Sequence, residues 1–236
     1  MNAGRLIALL ILAAAPAAAL SAGSAQAAPY PAMAPVEQYL MPDRNAEIAL
    51  AKSAAPSDIS DNASVLVLTR HGYETAVKGT NGFVCAVERG WMGPFEHPEF
   101  WNPAIRGPLC FNPPAARSIL PYTYKRTDLV LAGHSKDEVM AGMKTALDAK
   151  QLPKLEVGAM TFMMSKQQNL GDKGGHFTAH LMFYLPQQPE SNFGGEFADV
   201  PMGYNPQFEH SPEAMSVLMV MVPHWSDGSP VPMNHH

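Results

Sequence analysis

The chain is short of charge, of cysteine and, beyond its first residues, of long apolar runs. Asp, Glu, Lys and Arg make up 16% of its 236 residues, against about a quarter in typical domains. The formal net charge is −5, and the 16 Lys and Arg residues form no basic cluster. Phosphate binding needs such clusters, so nucleic acid is excluded as a partner. After residue 20 no apolar run approaches the roughly 18–20 residues needed to cross a bilayer, and no transmembrane segment is expected. Only two cysteines occur, Cys85 and Cys110. Neither follows the N-terminal apolar run, which excludes a lipid anchor on a cysteine there.

What is present begins with a targeting segment. Arg5 supplies a positive start, residues 6–20 an apolar stretch, and Ala25-Gln26-Ala27 a small-residue cleavage site. Residues 1–27 therefore read as a signal peptide, and the mature protein as periplasmic or secreted. In an oxidising compartment a pair of cysteines is most simply a disulfide. Closing the Cys85–Cys110 loop stabilises a fold by roughly 3 kcal/mol on the chain-entropy account; two free thiols on a metal are the alternative.

Residues 28–42, rich in Ala and Pro, read as a flexible lead-in. Residues 43–224 read as a single domain and 225–236 as a loose tail. Asp43 is placed to cap a first helix. The runs 65–69, 73–80 and 83–89 read as a three-stranded antiparallel meander. Its turns are His71-Gly72 and Asn81-Gly82, the second being the pair a type I′ hairpin demands. That hairpin pairs Thr80 with Phe83, Lys78 with Cys85 and Glu74 with Arg89.

The loop from 90 to 114 carries Trp91, Phe95, Phe100, Trp101 and Phe111, and reads as a lid over one end of the core. A sharper reading makes it a ligand-pocket wall with Glu96, His97 and Glu99 as polar groups. Asn112 starts a helix that Pro121 should end. Ser135 and Glu138 form a capping box for a helix over 136–150, with Val139, Met143 and Leu147 on one face. Three apolar runs, 158–164, 179–185 and 215–222, read as strands of one buried sheet. The last is apolar on both faces and should be central. A short piece of structure is expected within 193–200. The class is α+β, a mainly antiparallel β-sheet with a few helices packed on it.

Two constellations could carry chemistry. Residues 129–137, with Gly133-His134-Ser135-Lys136-Asp137, resemble the nucleophile elbow of α/β-hydrolases, and imply a serine nucleophile with His224 as base and Asp199 as orienting acid. Asp137 stands where the elbow requires a second glycine, and Ser135 is also explained as a helix cap. The other constellation is His176, His180 and His224, with Glu196 and His210 on loops. His176 and His180 have a spacing that shares one face of a helix. In extended chain, four residues span about 13 Å, too far for one ion. His180 alternates with Met182 and Tyr184, and His224 lies just past the third run. The 15 methionines raise copper as a soft-ligand cofactor, although most fall where Leu would serve as core.

The combination Met164-Ser-Lys-Gln-Gln168, Gly-Gly-His176, His180-Leu-Met-Phe183 and Trp225-Ser-Asp-Gly228 resembles a group of uncharacterised exported bacterial proteins. That resemblance implies no activity. The favoured reading is an exported protein binding a small ligand or a divalent metal such as Zn or Cu, with His180, His224, His176 and Glu196 as candidate ligands. The alternatives are an exported hydrolase, metal-dependent through those histidines or serine-type through Ser135, and an envelope-interaction module. That module would contact its partner protein through the aromatic loop 91–101.

Overall fold

The computed structural model describes residues 29–172, 177–188, 192, 202–204, 212–213 and 215–232. The signal segment, the stretch 193–200, His176 and Glu196 lie outside them. Among the described residues eight strands form one sheet: β1 (Ser64–Thr69), β2 (Gly72–Val77), β3 (Val84–Glu88), β4 (Gly107–Phe111), β5 (Met160–Met163), β6 (His180–Pro186), β7 (Met202–Tyr204) and β8 (Met215–Met221). Their order is β2-β1-β3-β4-β5-β6-β8-β7. All neighbours are antiparallel except β1 and β3, which run parallel. With five α-helices added, the class is α+β.

The parallel pair corrects the expected meander. β1 and β2 do form a hairpin, closing Thr69 on Gly72 around Arg70-His71. The Asn81-Gly82 hairpin does not form, so its three expected cross-strand pairs are absent. After β2 the chain passes beneath the start of β1, where Thr80 N–H donates to Asn62 O at 2.8 Å and Gly79 N–H to the Ser64 hydroxyl at 3.0 Å. A Cβ on Gly79 would sit 2.2 Å from the Ala63 and Ser64 backbone, so only glycine permits the crossing. The chain then enters β3 on the far side of β1. Gly82 has φ +79° but Asn81 does not have positive φ; its side chain caps Phe83 N–H instead, so the type I′ geometry is missing.

Alternating side chains divide the core in two. On one face of the sheet Val65, Cys85, Val87 and Cys110 meet Ala51 of α1 (Arg44–Lys52). On the other, Leu66, Leu68, Ala86, Leu109 and Phe111 meet α3 (Pro113–Ser118), α4 (Leu120–Leu131) and α5 (Lys136–Asp148). The short α2 (Ser57–Ser60) follows α1. Helices thus clad both faces of β1, β3 and β4, which is why these strands read as continuous apolar runs, while the edge strand β2 leaves Glu74 and Thr75 exposed. The disulfide joins Cys85 to Cys110, directly opposed on β3 and β4.

Several local expectations hold. Asp43 caps α1 through Asn45 N–H at 2.8 Å, and α5 carries the full capping box with Val139 and Met143 buried. The helix that Asn112 starts does stop before Pro121, α3 closing at Ser118; the unexpected element is α4, which holds Pro121 in its first turn, where the missing N–H costs nothing. The lead-in is not loosely packed: Tyr39 is fully buried, its ring 4.9 Å from that of Trp91 and its hydroxyl donating to Trp101 O at 2.7 Å. The start of the tail is also tied down, Ser226 N–H donating to Met164 O and Lys166 pairing with Asp227 at 2.8 Å. Among the described residues no helix is long and apolar enough to cross a membrane.

Candidate functional site

β6 begins at His180, among the described residues the most buried ionisable group on the second half of the sheet at 2% exposed. Its Nδ1 lies 2.8 Å from Thr178 O. A carbonyl only accepts, so Nδ1 carries the proton and Nε2 keeps its lone pair. Burial lowers the ring's pKa below the ordinary histidine value, more than the Thr178 contact raises it, so the imidazole is neutral at pH 7. Phe177 stands edge-on to the ring, centroids 5.0 Å apart. Gln168, 1% exposed, donates its amide N–H to Phe177 O. Its Oε1 is buried with no hydrogen-bond partner, which costs of the order of 1–3 kcal/mol unless something else satisfies it.

The register surrounds His180 with sulfur. It faces Met163 on β5 and Met221 on β8. One step along, Met182 faces Thr161 and Met219. Directly opposed antiparallel residues project to the same side, so Met163, His180, Met182, Met219 and Met221 share one face. His180 and Met163 are buried, whereas Met182, Met219 and Met221 are half-buried. The methyl of Met163 leans away over Gly107, 3.3 Å from where a Cβ there would be.

His224 follows β8 by three residues, in a turn bridged to Pro230, and is exposed. The β6–β8 ladder runs one residue past the His180–Met221 pair, Val222 N–H donating to Ala179 O, but the His180 ring is buried and His224 faces water. Among the described residues no three His, Cys, Asp or Glu side chains gather to hold a metal ion.

Ser135 is removed from candidacy. The element before it is the end of α4, not a strand, and Gly133 turns the chain at φ +87°. The Ser135 hydroxyl donates to Glu138 Oε2 at 2.8 Å and accepts from Glu138 N–H as a helix cap, so it is not poised as a nucleophile. The aromatic loop offers no contact surface either: Trp91, Phe95, Phe100 and Trp101 are all at most 4% exposed. Of its polar groups, Glu99 accepts from Asp172 N–H and Asn102, and His97 from Glu99 N–H. Glu96 lines a shallow groove of about 170 Å³ with Phe95, Lys136, Asp137 and Met140, smaller than the roughly 300 Å³ at which ligand pockets begin.

A charged cluster that the sequence did not reveal lies between the sheet and α4. Arg126 pairs with Glu213 through two hydrogen bonds, donates to Trp91 O and Gly93 O, and stacks 4.2 Å over Phe95. Beside it Glu88 accepts from the Thr123 hydroxyl at 2.8 Å. Burial pushes the Glu88 carboxyl up to about 7 against the lowering by Thr123 and Arg126. On the opposite face Arg89 is fully buried, donating to Glu47 at 2.7 Å and to Tyr39 O at 2.7 Å. Every guanidinium nitrogen of both arginines has an acceptor, so these are structural pairs. Nothing in the local sequence distinguishes them, because their partners lie 42 and 87 residues away.

No protein-family model matches the chain, and neither a curated protein nor a solved structure does.

Proposed function

We propose that this is an exported, non-catalytic protein that binds a metal ion at the His180 corner of the sheet. The observation that carries the reading is the His180 ring itself: buried, neutral, with Nδ1 fixed on a backbone carbonyl and the Nε2 lone pair left for a ligand. Metal-binding histidines are held in this way, the second ring nitrogen donating to a carbonyl that sets tautomer and orientation. The orphaned Gln168 Oε1 nearby supplies an acceptor for a water bound to such an ion. The disulfide accords with an oxidising compartment, periplasmic or extracellular. An ion suits the corner better than an organic ligand, because thioethers and one imidazole supply donors but few groups to orient a larger molecule. His224, exposed just beyond β8, is available as an outer ligand.

Elemental analysis of the mature, untagged protein purified without chelators tests the reading. About one equivalent of metal is expected, lost in His180→Ala and weakened in His224→Ala. A metal content unchanged by His180→Ala, in a variant that keeps its near-ultraviolet circular dichroism, would overturn it.

A further inference from the structure

The pairing of β6 with β8 makes a block of four donors on one face. His180 opposes Met221, and two residues on Met182 opposes Met219. Cβ atoms are about 5 Å apart across such pairs and about 7 Å apart between successive same-face residues of a strand. A point above the centre of the block is thus within reach of three thioether sulfurs and one imidazole nitrogen. The three methionines are half-buried, which leaves an approach from solvent while His180 anchors the floor. Met163, on the other flank, has its methyl turned toward Gly107 and is packing rather than a ligand.

Donor chemistry then selects the ion. Thioether is a soft ligand that favours Cu(I), whereas Mg and Ca take oxygen donors and structural Zn takes thiolate, imidazole and carboxylate. The described residues gather no such hard or borderline set here. We propose that the His180–Met182–Met219–Met221 block is a Cu(I) site, a proposal that rests on the metal-binding reading above and names its ion and ligands. No redox step is involved; the ion binds and is released as Cu(I).

The test is anaerobic titration of the full mature protein with Cu(I) in competition with a chromophoric Cu(I) chelator. The expected result is one tight equivalent, with sulfur and nitrogen neighbours in the copper X-ray absorption spectrum. Met219→Leu with Met221→Leu conserves volume and leaves the fold intact; it should weaken Cu(I) at least 100-fold. Met140→Leu, on the exposed side of α5, should leave affinity unchanged. If the double variant binds like the parent while His180→Gln loses the ion, the thioether set is overturned and the histidine reading stands. If Co(II) or Zn(II) binds in a His180-dependent way and Cu(I) does not, the choice of ion is overturned. If no metal binds, both readings fall.

Discussion

The two halves of the sheet are built to different ends. In the β2-β1-β3-β4 half helices cover both faces of β1, β3 and β4, a disulfide bridges β3 and β4, and every guanidinium nitrogen of the two buried arginines has an acceptor. In the β5-β6-β8-β7 half the strands are richer in Met than in branched residues, and most of β6 and β8 is only half-buried. Tight packing with fully satisfied polar groups makes the first half rigid and chemically closed. Flexible thioether side chains, an imidazole with a free lone pair and an orphaned amide oxygen leave the second half open to a ligand. Polar groups in the two halves therefore mean different things: buried charge in the first is structure, and a lone buried ring in the second is a candidate site.

That contrast can be broken at the ion pairs first. Glu47→Ala leaves the fully buried Arg89 without its carboxylate. Removing one member of a buried pair costs about 3–5 kcal/mol, read as a lower urea midpoint at unchanged slope; a loss under about 1 kcal/mol would mean the first half is not closed as described. Next comes Cys85→Ala with Cys110→Ala. It opens a loop between residues 25 apart and should cost about 3 kcal/mol, without altering metal content, because the bridge lies in the other half.

The smallest effect concerns pH. The Glu88 carboxyl is raised to about 7 in the folded protein by burial, above its unfolded value near 4.5. Between those values the native state holds a proton that the unfolded chain has released. This contribution to stability is therefore complete below about pH 4.5 and lost as pH rises through about 7. Because Glu88 is only half-buried, water reduces the effect to about 1–2 kcal/mol. Relative to Glu88→Gln, which keeps a group able to bond the Thr123 hydroxyl, the parent should lose stability from pH 5 to pH 8. Parallel denaturation midpoints for the two proteins would show Glu88 to be ionised in the fold.

Much of the local structure was legible. The Asp43 cap, the Ser135–Glu138 capping box and the three late strands follow from side-chain chemistry within a few residues. So did the alternation that puts His180, Met182 and Tyr184 on one side of β6, and Met215, Met219 and Met221 on one side of β8. The failures were at points where a local signal has two solutions. Asn81-Gly82 permits a hairpin, but Gly79 also permits the chain to cross under β1, and burial of β3 between β1 and β4 favours the crossing. Pro121 follows the end of α3 as expected, but it also opens α4, a second role that a proline permits equally well. Residues 129–132 form a short apolar run that fits a strand as well as a helix end, and only α5 packing against α4 separates them.

The α+β class, the helix caps, the cysteine pair and the periodicity of the strands are readable from the residues alone, because each depends on contacts between near neighbours or on composition. Tertiary structure alone decided that β6 lies beside β8 in the register that sets His180 against Met221. It also decided that Arg126 meets a carboxylate 87 residues away, whereas the burial of the aromatic loop, read as a lid from its composition, is borne out. Those two pairings depend on which apolar faces bury one another across long loops. That is a property of the whole chain's packing, and no window of sequence contains it.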